Sequence, residues 1–171
     1  LAADYGMREA VATGDLETVR SALDNHGARI GASLAALLGT DLTVQALGEG
    51  VDAALAPALA RLGPRLAQHP GSGLVALVAS RPYQFVMVPM RAPALIGWVV
   101  MGFPLDQALI DDMHAVSGLQ AALVAQPAAG APLVLVHSFK PSADAAPLAM
   151  QLADGDVLLD AQPYLVATTP V

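Results

Sequence analysis

The side chains that could do acid–base or metal chemistry in this sequence are few and scattered. The four histidines lie far apart along the chain: His26, His69, His114 and His137. Asp111 and His114 are three positions apart on a predicted helix, a spacing that could present both side chains to one metal ion. A solvated helical face, shared with Asp112, is the simpler interpretation. We therefore predict no metal site and no cofactor.

Sequence patterns of the common enzyme classes are also missing. The chain contains no Walker loop, no Gly-x-Gly-x-x-Gly motif, no His-Glu-x-x-His motif and no Gly-x-Ser-x-Gly elbow. The run Gly-Ser-Gly at 71–73 resembles the last motif only in part and fits a loop better. There is no cysteine, which excludes thiolate metal sites, disulfides and cysteine nucleophiles. We predict that the chain has no catalytic residue and is not an enzyme.

The side chains best suited to binding a small molecule lie between residues 83 and 103. Because side chains alternate along a strand, one predicted strand presents four of them on one face: Tyr83, Phe85, Met87 and Arg91. The next predicted strand presents three on one face: Ile96, Trp98 and Val100. If the two faces coincide, they form an aromatic pocket with one guanidinium, which suits a small organic anion.

The alternative interpretation assigns these side chains to the core. Phe85 and Met87 are typical buried residues, and we favour the core for them. For Tyr83, Arg91 and Trp98 both interpretations stay open, because each has a polar group that needs a partner. The candidate ligand-binding residues are Tyr83, Phe85, Arg91 and Trp98.

Two predicted helices precede these strands. The first runs from Leu1 to about Ala12 and ends at Thr13-Gly14, and Asp15 is a predicted N-cap for a second helix over 16–33. Apolar residues of the second helix form one stripe: Leu16, Val19, Leu23, Ile30 and Leu34. Gly27 and Gly31 lie on or near this stripe and permit close approach of another backbone. That backbone belongs either to the chain's own sheet or to a second copy in a dimer.

The segment 34–103 predicts a small α+β lobe with a PAS-like, five-stranded antiparallel sheet. Its elements are a hairpin at 34–38 and 42–47, a helix at 51–68 with a kink at Gly63-Pro64, and strands at 74–79, 83–91 and 95–103. The tight turns between the strands force antiparallel neighbours, since parallel strands need a long crossover.

The same order of elements begins again after residue 103. It predicts a helix at 104–117, strands at 119–125 and 133–139, a short helix at 143–152 and a strand at 164–169. The chain is therefore divided into N-terminal helices at 1–33, a first lobe at 34–103, and a connecting helix with a partial second lobe at 104–171.

Composition limits the class of protein. The 171 residues are 55% hydrophobic and 13% charged, which predicts a folded domain with a large core. The net charge is −7 and the only lysine is Lys140, so binding to nucleic acid or to an anionic membrane surface is not expected. No apolar run reaches the roughly 20 residues that a membrane-spanning helix needs. Because the sequence starts at Leu1, we expect the natural start to lie upstream.

Four stretches of the sequence resemble double Cache sensor domains: 1–15, 21–31, 83–93 and 96–106. The resemblance implies a long helix that leaves the membrane and two stacked PAS-like lobes outside the cell. A second membrane helix then leads to a cytoplasmic output, commonly a GGDEF/EAL cyclic-di-GMP domain or a histidine kinase. The Tyr, Arg, Trp, Tyr and Asp set of the amino-acid-binding subgroup cannot be aligned here, so amino-acid sensing is not supported.

The leading functional hypothesis is therefore a periplasmic small-molecule sensor domain of a transmembrane signalling protein. It predicts a homodimer, attached to the membrane through segments outside this chain and controlling cyclic-di-GMP turnover or a kinase. The first alternative is a ligand-free dimerisation or spacer module of the same fold. The second is a small cytoplasmic PAS-like enzyme or carrier.

Overall fold

The computed structural model describes residues 4–79, 81–125, 133–138, 157–159 and 162–164. The chain divides into two compact units, Leu1–Pro104 and Leu105–Pro170. Both units combine helices with antiparallel strands, so the architecture is α+β, as the sequence predicts.

The first unit begins with two helices, α1 (Tyr5–Thr13) and α2 (Leu16–Ile30). Gly14 adopts the left-handed conformation that ends α1, with φ of 74°, and glycine is the residue that tolerates this best. Asp15 then caps α2, because its carboxylate accepts a hydrogen bond from the Thr18 amide at 3.1 Å. The predicted break and the predicted N-cap are both confirmed. The N-terminal helical region thus consists of two helices rather than one long helix.

A five-stranded antiparallel sheet follows, in the order β2-β1-β5-β4-β3. The strands are β1 (Leu34–Leu38), β2 (Val44–Leu47), β3 (Gly73–Val78), β4 (Arg81–Arg91) and β5 (Leu95–Pro104). The predicted sheet is confirmed, and strand ends differ from the predicted ones by one or two residues. β1 lies between β2 and β5, which explains why every one of its residues is buried.

The α-helix that connects β2 and β3 is shorter than the sequence predicts. A 3-10 turn at Ala53–Leu55 comes first, and the Asp52 carboxylate caps it by accepting from the Ala54 amide at 2.8 Å. The α-helix α3 then covers Ala56–Gln68, with Pro64 inside it. The predicted helix over 51–68 therefore starts five residues too early, because the local cap at Asp52 favours a tighter turn.

Different helices cover the two faces of the sheet. On the face that we call the α1–α2 face, the helices bury Met7, Ala10, Val19 and Leu23 against the strand residues Ala35, Leu37, Ala46, Met90, Val99 and Met101. On the α3 face, Leu59 and Leu66 of α3 pack with Leu34, Ala36, Leu38, Ala76, Val78, Phe85, Met87 and Val100. Successive residues of β5 therefore pack into opposite layers of the core.

The glycine-containing stripe of α2 packs on the chain's own sheet. Val19 and Leu23 are fully buried, and a Cβ on Gly27 would lie 3.6 Å from the Ala35 Cβ of β1. The absence of a side chain at Gly27 thus brings α2 close to β1. This contact accounts for the buried part of the stripe, whereas Leu16 and Ile30 at its two ends are exposed.

The second unit begins with α4 (Gln107–Ser117), which Asp106 caps by accepting from the Leu109 amide at 3.1 Å. The helix starts three residues later than predicted because β5 continues to Pro104. Two hairpins follow: β6 (Ala122–Ala125) with β7 (Leu133–His137), and β8 (Val157–Leu159) with β9 (Gln162–Tyr164). The sequence reasoning missed β8 and β9 as a pair. The predicted helix at 143–152 and residues 165–169 of the last predicted strand lie outside the described residues.

Candidate functional site

Three of the four candidate ligand-binding residues lie on the α3 face, where Trp98 is separated along the sheet from the Tyr83–Phe85 pair. Tyr83 and Phe85 on β4 and Trp98 on β5 all belong to, or pack against, the cluster beneath α3. Phe85 is fully buried, while Tyr83 and Trp98 are half-buried. The Tyr83 and Phe85 rings are in contact, with centroids 5.6 Å apart and planes inclined by 35°. The faces of the two predicted strands therefore coincide at these residues.

Gly102 makes room for the central ring of this group. It lies opposite Phe85 in the β4–β5 ladder, and a Cβ there would come within 3.0 Å of the Phe85 Cε1 atom. A glycine directly across from an aromatic residue in an apolar strand is a sequence signal for such a ring position. Gly102 was not among the residues predicted for the site.

The fourth candidate, Arg91, is not part of this group. It is exposed at the end of β4, and its carbonyl accepts a hydrogen bond from the Arg8 Nη1 at 3.4 Å. The ladder shifts register beside it: Met90 pairs with Gly97, but Arg91 pairs with Leu95. The extra residue lies on β5, so the alternation of β4 itself is not interrupted, and Arg91 is set apart from the aromatic residues by its exposure at the strand end.

The same register shift displaces Ile96. This residue is the extra one on β5 between the pairs of Gly97 and Leu95, which is the arrangement of a β-bulge. Ile96 packs against the core of the α1–α2 face, whereas Trp98 and Val100 lie on the α3 face. The predicted grouping of Ile96 with Trp98 and Val100 is therefore wrong, because a bulge breaks the period of two.

The cover over the aromatic residues is α3, held close to the sheet at a glycine. A Cβ on Gly63 would lie 3.3 Å from the Leu42 Cβ and 3.5 Å from Leu38 Cδ2. Leu42 is itself in the left-handed region, with φ of 65°, and packs its side chain into the α3 cluster. The hairpin turn between β1 and β2 and the middle of α3 thus close one end of this layer.

One polar atom inside this layer has no partner. The Trp98 Nε1 is buried, and among the described residues nothing accepts its proton. Buried donors in proteins are satisfied in the great majority of cases, so this atom requires an explanation.

Two clefts border α2 on the opposite side of the sheet. One, of about 520 Å³, is lined by α2 residues and its cap alone, so it is the outer surface of a single helix and cannot enclose a ligand. The other, of about 320 Å³, lies between α2, Ala32–Ala35 and Glu49–Val51. The Asp24 carboxylate borders it and accepts from the Glu49 amide at 2.6 Å. With Asp24 and Glu49 at its edge, this cleft does not suit an anion.

Two exposed carboxylates have a lowered pKa for local reasons. The Thr18 hydroxyl and amide donate to Asp15 and hold its pKa below the usual 3.8, and Thr43 does the same for the pKa of Asp41. Both are turn or cap interactions at the surface. They contribute to local structure and lie outside the aromatic group.

The Asp111 and His114 pair on α4 is occupied by hydrogen bonds within its own unit. Asp111 accepts from the Gln107 Nε2 at 2.7 Å, and the His114 Nδ1 lies 2.9 Å from the Leu119 carbonyl oxygen. In the described part of the chain, no group of three or more His, Asp or Glu residues could hold a metal ion.

The five-stranded antiparallel sheet with helices on both faces is a PAS-like lobe. The chain matches the sequence profile of dCache_3, described as the double sensory domain of two-component sensor kinases, over residues 1–161. It belongs to this double Cache family, and the chain is an extracytoplasmic sensory domain of a membrane sensor. Membership also makes it a sensory rather than a catalytic domain.

Structural comparison agrees with this fold. The periplasmic domain of Vibrio cholerae LuxQ has a similar structure, with a TM-score of 0.63 over 95% of this chain and 83% of the LuxQ chain. The sequence identity is 15%, so the likeness concerns the fold alone. No curated protein sequence matches the chain significantly. Across the described ranges, no helix is both long and apolar enough to cross a membrane.

Proposed function

We propose that the chain detects a small molecule on the α3 face of its first lobe and passes the change to its N-terminal helices. The single observation that supports this best is the unpartnered indole N–H of Trp98, on the same sheet face as Tyr83 and Phe85. This face combines aromatic surface with a buried hydrogen-bond donor, and α3 covers it. Ligand sites in proteins are mostly apolar, with a few placed polar groups.

A route for the signal follows from the packing of β5. Trp98 and Val100 contact the α3 layer, while the neighbouring Val99 and Met101 contact α1 and α2 through the other face. Close-packed cores transmit small displacements because they have few voids to absorb them. A ligand that moves Trp98 would therefore shift the surface on which α1 and α2 rest.

The output domain is a further part of the proposal. The family is described by its occurrence in two-component sensor kinases, which favours a histidine kinase over a cyclic-di-GMP domain. The dimer is likewise proposed, and its contact would use residues of α1 and α2 that the sheet does not cover. Tyr5, Leu16 and Ile30 are apolar or aromatic side chains exposed there. Sedimentation of the isolated domain tests this, and a monomer at all concentrations would contradict it.

The alternative function, a spacer without a ligand, is favoured by one observation. Phe85, Met87 and Val100 are all completely buried, so much of the α3 face is already filled by the protein itself. In that case the Trp98 N–H would be an unsatisfied buried donor in an otherwise well-packed core.

Thermal melting against a metabolite library distinguishes the two functions. A ligand that binds only the folded domain raises its stability by about 2.7 kcal/mol at one hundred times its Kd. Tyr83→Ala and Trp98→Leu should each reduce the rise. The matched control is Val88→Ala, because Val88 lies on the same strand as Tyr83 but packs on the α1–α2 face.

Two results would contradict the sensor proposal. The first is a library in which no compound raises the melting temperature of the folded wild-type domain. The second is a ligand whose stabilisation is unaffected by Tyr83→Ala and Trp98→Leu but is lost in Val88→Ala, which would move the site to the other face.

A further inference from the structure

The Trp98 indole is a hydrogen-bond donor in surroundings that offer it no acceptor. Its Nε1 has essentially no solvent exposure, and no described residue accepts from it. Trp98 packs against the core cluster of the α3 face, whose buried members are all apolar, including Leu38, Met87 and Val100. A buried donor without a partner is unfavourable, and an acceptor placed there would be correspondingly favoured.

Charge is also missing from this layer. Among the described residues, no charged or polar residue is buried. Arg61 and Arg65 of α3 are exposed, as is Arg91 at the end of β4. A carboxylate or ammonium group taken into this layer would lose its hydration without gaining an opposite charge, which strongly disfavours binding of the ionised form.

A trapped water molecule would fit this position poorly. Buried waters typically make about three hydrogen bonds to polar groups of the protein. The buried side chains of the α3-face cluster are aliphatic, aromatic or thioether, so they offer a water molecule beside Trp98 no second polar partner. A molecule with one acceptor atom on an apolar body matches that combination better than water does.

From these observations we infer that Trp98 is a recognition residue for an uncharged, largely apolar ligand with a hydrogen-bond acceptor such as a carbonyl oxygen. The inference rests on the proposed sensing function and narrows its ligand class. It replaces the small organic anion expected from the sequence, because that expectation depended on Arg91 lying in the same pocket.

Trp98 is the only tryptophan of the chain, so one indole N–H resonance in a proton–nitrogen correlation spectrum reports on this atom alone. We would titrate the ¹⁵N-labelled domain with three probes of similar shape. Acetophenone is neutral with a carbonyl acceptor, benzoate is an anion, and ethylbenzene has no acceptor. The methyl resonance of Met87, a buried neighbour in the same layer, serves as a second reporter of occupancy.

Acetophenone should move the indole proton to higher frequency and saturate, and it should bind more tightly than benzoate. Trp98→Phe keeps an aromatic ring and removes the donor. It should weaken the binding of acetophenone about five-fold, which corresponds to the loss of one neutral hydrogen bond. The binding of ethylbenzene should be unchanged. Circular dichroism of the variant would verify that it is folded.

Several outcomes would overturn the inference. Benzoate binding more tightly than acetophenone at the Met87 reporter would show that the layer accepts anions. An indole proton that exchanges magnetisation with a long-lived water in the free domain would show that water already satisfies the donor. Acetophenone that shifts neither reporter, or that binds Trp98→Phe equally well, would also refute it.

The experiments distinguish a failure of the proposed sensing function from a failure of this inference. A library compound that raises the melting temperature without moving the indole resonance would retain sensing and disprove the role of Trp98. A library without any stabilising compound would remove the sensing function. Since the inference rests on that function, Trp98 would then have no ligand to recognise, even if acetophenone bound as a fragment.

Discussion

Gly97 is the position where the sheet tolerates a side chain least. It lies on β5 beside β1, and a Cβ there would come within 2.8 Å of the Leu38 carbonyl oxygen and 3.4 Å of Leu37 Cδ1. The first contact is with backbone that is held on both sides, since Leu38 pairs with Trp98 and with Val44. The Gly97→Ala variant must therefore separate two central strands or distort one of them.

The magnitude follows from two opposing effects. Overpacking of a core typically destabilises by about 1–3 kcal/mol. Replacing glycine by alanine also restricts the unfolded chain, which stabilises the folded state by about 0.4–1 kcal/mol. The net loss is about 1–2 kcal/mol. For a unit of roughly 100 residues, this corresponds to a fall in melting temperature of about 5–10 °C.

Gly27→Ala is the matched control, because Gly27 is also buried but has room. Its Cβ would make ordinary contacts, at 3.5 Å from the Ala32 carbonyl oxygen and 3.6 Å from the Ala35 Cβ. Alanine is favoured over glycine inside a helix by about 1 kcal/mol, so this variant should melt a few degrees higher than the wild type.

The fluorescence of the single tryptophan, Trp98, follows unfolding of the first unit specifically. Comparing the melting curve of each variant with that of the wild type gives its change in melting temperature. Equal stability of Gly97→Ala and wild type would refute the close approach of β1 and β5 at this glycine. A loss of stability in Gly27→Ala as large as that in Gly97→Ala would refute the argument from side-chain space.

Three further predictions concern the N-terminal helices. Leu23→Ala should lose about 2–5 kcal/mol in urea denaturation because Leu23 is fully buried, whereas Ile30→Ala, at a position 54% exposed, should change stability by less than about 0.5 kcal/mol. Gly14→Ala should lose about 1 kcal/mol in the same assay, because only the left-handed φ of 74° ends α1 here, and Gly14→Asn should lose less. Asp15→Ala should lower the melting temperature at neutral pH. The pKa of Asp15 is lower in the folded than in the unfolded chain, so its contribution is present above the usual pKa of 3.8 and is lost as the pH falls through the lowered folded value. Melting curves recorded from pH 7 downward should converge for the variant and wild type, and a constant difference would contradict the charge argument.

Most of the fold could be predicted because local rules and the tertiary structure agree. Thr13-Gly14 ends α1, Asp15 begins α2, and short turns between β3, β4 and β5 leave only an antiparallel arrangement. In each case the signal is carried by a residue whose backbone or capping preference is strong.

The candidate site was harder to predict because it depends on exact register. Side-chain alternation correctly placed Tyr83, Phe85 and Trp98 on one face, and it failed for Ile96 at the bulge on β5. A single extra residue on one strand reverses the face of everything beyond it. Nothing in the apolar run around Ile96 signals where that residue is inserted.

The exposure of the one candidate cation also decides the chemistry of the ligand. If the guanidinium of Arg91 were buried beside the aromatic rings, an anion would be the natural ligand. Arg91 is instead exposed at the end of β4, while Trp98 lies on the α3 face with its donor unpartnered. The same aromatic residues, with the charge removed, favour a neutral acceptor because an ion would be buried without a counter-charge. The exposure of Arg91 at the strand end therefore separates the predicted anion site from the neutral site that we infer.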